Sequence, residues 1–328
     1  MLQIGIIGCG RLTEELINTM IDKDTSFDKL VILDNQDKVG KRLKIEELSF
    51  KVENLDTFEL DSLDVIFVLM NKKNIEPYAT KLKETKAYVI DSSECFAYDY
   101  MIPSVVVGVN DNILSNIQSN IVNSPSAICI MLSKILHPLY NIQNIGKVFV
   151  STYQGVSNEG EEALGELFEQ TRCIYANSSI VETKNIFTKQ IAFNLIPHIK
   201  DFTTNGNTQE EELLCMQSNK VLNVNLDIVA TCVRVPIFIG EALSVMIEVD
   251  GTEEEIKNII TNIENVKVVD YRANDGYVSP FEAIGEEDVY ISRVRMVNNN
   301  LAMWVVADNM KVEVVNMLNI YEKLKFVA

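Results

Sequence analysis

The stretch LQIGIIGCGRLTEEL, Leu2–Leu16, decides how the first half of the chain is read. Leu2–Ile7 is an almost unbroken apolar run of strand length, Gly8-Cys9-Gly10 makes a tight turn, and helical spacing takes over around Thr13–Met20. A buried strand, a glycine turn and a helix are how a dinucleotide-binding βαβ unit begins. Two glycines after a strand are weak evidence alone, because any tight strand–helix turn uses them. Working outward, short apolar runs recur at Lys29–Leu33, Asp64–Met70, Ala87–Asp91 and Ser104–Val109, each followed by a polar segment. That rhythm predicts a parallel, doubly wound α/β sheet over residues 1–125.

After Ser126 the pattern changes. A helix Ser126–Leu136 is expected to stop before Pro138, and a strand follows at Lys147–Thr152. In the acidic segment Glu159–Thr171, Leu164, Leu167 and Phe168 recur at helical spacing. Longer strands are expected at Asp227–Ile239, Ser244–Val249, Val289–Met296 and Met303–Ala307, then a last helix at Asn316–Phe326. Long strands with few helices predict a second, α+β domain over residues 126–309.

With 328 residues, 47% hydrophobic and 23% charged, the chain is globular and large enough for two cores. A net charge of −18 repels phosphate backbones and anionic lipid, so nucleic acid and membrane are excluded as expected partners. The apolar runs are too short to span a bilayer, and no basic region precedes the first of them as a signal peptide requires, so a cytoplasmic location is expected. The six cysteines are scattered without a CxxC pair, as reduced thiols would be, and His137 and His198 lie too far apart in sequence to suggest a metal site.

Four second-domain segments carry a specific likeness: Val150–Gly160 (VSTYQGVSNEG), Gln190–Ile199 (QIAFNLIPHI), Val229–Gly240 (VATCVRVPIFIG), and the pair Val289–Arg295 (VYISRVR) with Met303–Asn309 (MWVVADN). In this order and spacing they resemble aspartate-semialdehyde dehydrogenases, and Gly8, Ser93 and Pro103–Asn110 extend the likeness into the first domain. The resemblance implies a dinucleotide-binding domain at 1–125, a dimerisation and substrate domain at 126–309, and a C-terminal helix, 310–328, returning to the first domain. It also implies the family chemistry. A cysteine attacks the aldehyde, a histidine acts as acid and base, hydride passes to NADP, and phosphate releases aspartyl phosphate.

The residues that should perform this chemistry have changed. Asn123-Ser124-Pro125-Ser126-Ala127-Ile128 stands where the family has Asn-Pro-Asn-Cys-Ser-Thr, which puts Ser126 at the nucleophile. The histidine after the family's glycine corresponds to Glu241, a carboxylate too weak as a base to activate a serine unless burial raises it strongly. Cys129, three positions on, lies roughly 4.5 Å further along a helix and reads as a core cysteine. Gln154 matches the glutamine that orients the acyl group, Arg234 the arginine that pairs with the substrate carboxylate, and Glu210 a glutamate near the substrate amine. Arg234 reads equally well as the partner in a structural salt bridge. The phosphate-binding arginine and lysine correspond to Ala97 and Leu213, which cannot neutralise an anion.

The cofactor side is altered too. Gly8 and Gly10 remain, but Thr13 replaces the third glycine and the loop is one residue shorter than the family's GATGAVG. Met70-Asn71-Lys72 replaces Ala-Gly-Gly, and Glu313 falls in the Lys311–Val315 stretch after Asn309, where the family has glycine. Asp34 and Asp37 would repel a 2′-phosphate. The expectation is therefore no cofactor, or NAD in preference to NADP, through Gly8, Gly10, Asp34 and Asn309. The leading functional expectation is a non-catalytic binding or scaffolding dimer, with itself or with an active paralogue. The alternatives are an amino-dicarboxylate sensor and an active oxidoreductase converting aspartate semialdehyde to aspartyl phosphate.

Overall fold

The computed structural model describes residues 2–142, 144–178, 186–273 and 275–324. Contacts divide the chain into two compact units, Met1–Ser126 with Glu313–Ala328, and Ala127–Val312.

Unit 1 runs β1 (Gln3–Ile7), α1 (Arg11–Asp22), β2 (Lys29–Asp34), β3 (Arg42–Ile45), β4 (Leu48–Asn54), β5 (Val65–Val68), α2 (Lys72–Ile75), α3 (Ala79–Glu84), β6 (Tyr88–Asp91) and β7 (Ile121–Asn123). The strands form one sheet in the order β3-β4-β2-β1-β5-β6-β7, all parallel except the β3–β4 hairpin at one edge. β1 sits where the strand order reverses, and a crevice past the carboxyl ends of strands at such a point is where open α/β sheets take ligands. One core lies between α1 and the sheet, where Leu16, Ile17 and Met20 meet Ile4, Ile6 and Phe67.

One expectation fails in this unit, for a physical reason. Ser104–Val109 forms no strand: pairing is limited to Ser104 and the Val105 N–H on Asn123, while the Val105 carbonyl and the Val107 N–H bond to the Asn316 side chain. The sheet's last strand is β7, directly before the Ser124-Pro125-Ser126 stretch. The β3–β4 hairpin turns at Glu46-Glu47 with Glu46 at φ 50°, a left-handed residue without the usual glycine signal.

Unit 2 holds α4 (Ala127–Ile142), β8 (Ile145–Gln154), α5 (Glu161–Tyr175), α6 (Gln209–Leu222), β9 (Ile228–Arg234), β10 (Glu241–Val249), α7 (Glu253–Thr261), β11 (Val266–Val268), β12 (Val289–Val297) and β13 (Asn300–Ala307). The final helix α8 (Asn309–Leu324) starts in unit 2, and Val314, Met317, Leu318 and Tyr321 join the unit 1 core. The sheet order is β11-β12-β13-β10-β8-β9, with parallel pairing only at its two edges. α4 packs on β8, β10 and β13, α6 on β9, and α7 on β12.

α4 does not stop before Pro138 but runs through it. A proline inside a helix costs about 3 kcal/mol, but Ile135, Leu136 and Leu139 on either side are fully buried, and their burial outweighs that cost. On β12, Ile291 and Val294 are both buried, 0% and 2% exposed. Strict alternation would put residues three apart on opposite faces, but a bulge between Ser292 and Arg295, with Arg293 at φ 58°, lets both turn inward. Trp304 is half-buried and donates its indole N–H to Val278 O at 3.1 Å. The apolar row that does stay open crosses β9, β8 and β10: Val229, Phe149 and Met246 stand in register, 50%, 40% and 44% exposed.

Candidate active site

In unit 2, strand register assembles the expected substrate residues. Glu241 is paired with Gln154, and Gln154 with Arg234, across β10, β8 and β9. Alternation along β8 buries Val148, Val150, Thr152 and Gln154, so Gln154 turns inward with its neighbours. Glu241, Gln154 and Arg234 are 1%, 1% and 2% exposed. Adjacent strands lie about 4.8 Å apart, so the three side chains form one polar row under a helical cover.

Each member of the row has partners within the chain. Gln154 Nε2 donates to Thr152 Oγ1 at 3.1 Å and to Glu210 Oε1 at 3.3 Å, which links α6 to the row. Glu210 Oε2 forms an ion pair with Lys200 Nζ at 2.7 Å. Glu241 Oε1 accepts from Asn158 Nδ2 at 2.6 Å. Arg234 Nη1 donates to Gly155 O at 2.7 Å, and Nη2 forms an ion pair with Glu159. Asn309 accepts from Gly240 N–H at 3.0 Å and donates to Ser157 Oγ and Asn158 Oδ1, so it ties the turn after β8 to the one before β10. Asn158, Glu159 and Lys200 escaped sequence reasoning. The signal was in view, since Asn158-Glu159 are bulky polar residues inside the VSTYQGVSNEG segment.

Cys129 lies in α4, fully buried, with Sγ 3.7 Å from the hydroxyls of Ser133 and Ser218. Burial pushes its thiol up to about 11. Burial likewise pushes Cys95 and Cys215 up to about 11, and raises Cys9 and Cys232. None of these five is a ready thiolate at neutral pH. All six cysteines are free, and no group of metal-ligating side chains gathers among the described residues. No helix among them is long and apolar enough to cross a membrane.

In unit 1 the remaining candidates stand past the carboxyl ends of the strands. Ser126 is half-buried, one residue before α4. The stretch leading to it is firmly held: Asn123 Nδ2 bonds to Asp91 Oδ2 at 3.1 Å, Ser124 N–H to Asp91 O at 2.7 Å, and Asn316 Nδ2 to Ser124 Oγ at 2.8 Å. Burial raises the Asp91 carboxyl above its usual range, against its bonds from Ser93 and Asn123.

Gly8 has φ +119°, and a Cβ there would meet the Leu69 carbonyl carbon at 3.1 Å. Thr13 Oγ1 donates to Gly8 O at 2.8 Å and closes the shortened loop. At Gly10 an added Cβ would meet nothing within 4 Å, and the first turn of α1 has no side-chain cap. That open, uncapped turn fits a dinucleotide pyrophosphate. Asp34 ends β2 with its carboxylate on Asn35 N–H at 2.8 Å and Lys38 Nζ at 3.2 Å. Ala97 and Leu213 are buried and apolar, and Asn71 caps α2 by accepting from Asn74 N–H.

The family profiles "Semialdehyde dehydrogenase, NAD binding domain" and "Semialdehyde dehydrogenase, dimerisation domain" match residues 3–117 and 136–312. The aspartate-semialdehyde dehydrogenase of Rickettsia bellii is 32% identical over 98% of this chain and 97% of its own. This chain belongs to the aspartate-semialdehyde dehydrogenase family. The Bacillus subtilis aspartate-semialdehyde dehydrogenase is 31% identical over 99% of this chain and 97% of its own. Among solved structures, Vibrio cholerae aspartate semialdehyde dehydrogenase II superposes with a TM-score of 0.93 at 28% identity, covering 99% of this chain and 98% of that one. The NAD-binding domain of the family is thus present, and the expectation of no cofactor finds no support in it.

Proposed function

We propose that this chain is a non-catalytic member of the aspartate-semialdehyde dehydrogenase family that works as a binding or scaffolding dimer. One observation supports the chemical half: the stretch Asn123–Ile128, which resembles the family's nucleophile segment, holds Ser126 and no cysteine, while Cys129, the nearest thiol in sequence, is fully buried with its pKa near 11. A serine needs a strong base, and the acid–base position is Glu241, which already accepts a hydrogen bond from Asn158. Ala97 and Leu213 leave the phosphate positions without charge.

The assembly half is supported by the open row Val229, Phe149 and Met246, on the sheet of the domain that matches the family's dimerisation profile. The partner is a second copy or an active paralogue. Light scattering at micromolar concentration is the test, with a mass near twice the 37.0 kDa of one chain expected. A clean single-chain mass contradicts the dimer and, with it, most of the scaffolding reading.

A second reading has its own observation. The register brings Gln154 and Arg234 together, with Glu210 beside them, which favours a small amino-dicarboxylate as ligand without turnover.

A further inference from the structure

A guanidinium whose side chain is 3% exposed needs a counter-charge, and Arg234 finds one within unit 2. Both of its acceptors, Gly155 O and the Glu159 carboxylate, come from the short turn that follows β8. That turn is held from both ends. A Cβ on Gly155 would meet Gly240 O at 2.9 Å, and Gly160 adopts φ +87°, which side chains rarely tolerate. The Glu159 side chain is 38% exposed against 3% for Arg234, so the carboxylate stands on the solvent side of the guanidinium. Glu210 is similarly answered by Lys200. A free amino-dicarboxylate reaching this row meets a cation already satisfied.

We propose that Glu159 determines the ligand specificity of the Glu241–Gln154–Arg234 row, as a built-in carboxylate that occupies Arg234 and excludes small free dicarboxylates. The incoming ligand must displace a carboxylate tethered at an effective concentration of at least millimolar order. The choice of dicarboxylates as the class excluded rests on the dicarboxylate reading above, but for the intact chain the two part: that reading has the row filled by a free ligand, and this one has it filled by Glu159.

Thermal shift and titration calorimetry on the full chain, with succinate, L-aspartate and acetate as probes, decide it. Wild type is expected to show no rise in Tm at about 10 mM of any of the three. Glu159→Ala is expected to melt lower than wild type, and succinate or L-aspartate to raise its Tm and bind at least tenfold more tightly than to wild type. The Glu159→Ala/Arg234→Met double variant should lose that binding. Glu159→Gln keeps the shape without the charge, covers the case in which the alanine variant does not fold, and should also bind more tightly than wild type. Rescue of Glu159→Ala by acetate but by neither dicarboxylate keeps Glu159 as the occupant of Arg234 and discards the dicarboxylate ligand. Dicarboxylate binding to wild type within threefold of the variants overturns the role of Glu159 while supporting the dicarboxylate reading. Folded variants that bind none of the three probes overturn both.

Discussion

Cys129, three positions after Ser126, is poorly set up to act as a nucleophile. Reactivity requires a thiolate that a substrate can reach, and Cys129 is fully buried among neutral hydroxyls with its pKa near 11. At pH 7 about one part in ten thousand of such a thiol is ionised. Native-state alkylation with iodoacetamide, read site by site by mass spectrometry, should leave Cys129 unmodified at pH 7 for as long as free cysteine takes to react completely. Labelling of Cys129 within minutes at neutral pH would show an accessible thiolate and undo this account of the site. Ser126, Glu241, Ala97 and Leu213 stand at the family's catalytic and phosphate positions by resemblance of sequence alone. The partners that now occupy the row were not legible there. Whether Arg234 meets Glu159 or Glu241 meets Asn158 depends on the path of the turn Gly155–Gly160 between β8 and α5, which periodicity does not encode.

Among the elements, the β1–turn–α1 segment was read correctly from Leu2–Leu16, because a strand, two glycines and an amphipathic helix each carry a local signal. Its two glycines do different work. Gly8 sits at φ +119° against the Leu69 carbonyl, whereas Gly10 has extended backbone and open space around it. Gly8→Ala should therefore cost about 1–3 kcal/mol of folding stability, and Gly10→Ala less than about 0.5 kcal/mol. Urea unfolding of both variants checks this, and equal midpoints would mean that the close approach of Gly8 to Leu69 does not matter. The elements that sequence missed share one cause: tertiary contacts overrode local signals. α4 continues through Pro138 because its flanks are buried. Ser104–Val109 gives up strand pairing after Val105 because side chains take its backbone groups: Asn316, more than 200 positions later, bonds the Val105 carbonyl and Val107 N–H, and Asn110 and Asp111 bond the N–H groups of Val106 and Gly108. The β12 bulge turns both Ile291 and Val294 inward, which alternation alone would have placed on opposite faces.

For the whole molecule, the sheet order of unit 1 and the family match both place a dinucleotide-type crevice at the carboxyl ends of β1 and β5. We propose that Asp34, buried at the end of β2, stands where a 2′-phosphate would demand a cation. Lys38 offsets only part of that charge, through a single contact at 3.2 Å. Calorimetric titration should accordingly show any dinucleotide affinity favouring NAD over NADP by about tenfold or more, which is about 1.4 kcal/mol. Tighter NADP binding would mean that Asp34 swings away from the site.

The most direct measurement of the central claim is turnover. Purified protein at high concentration is supplied with aspartate semialdehyde, phosphate and either NAD or NADP, and cofactor reduction is followed by absorbance beside Ser126→Ala and Cys129→Ser variants. The expected result is no reduction above the background common to all three proteins. Turnover in the wild type that either variant abolishes would show a working nucleophile and contradict the account.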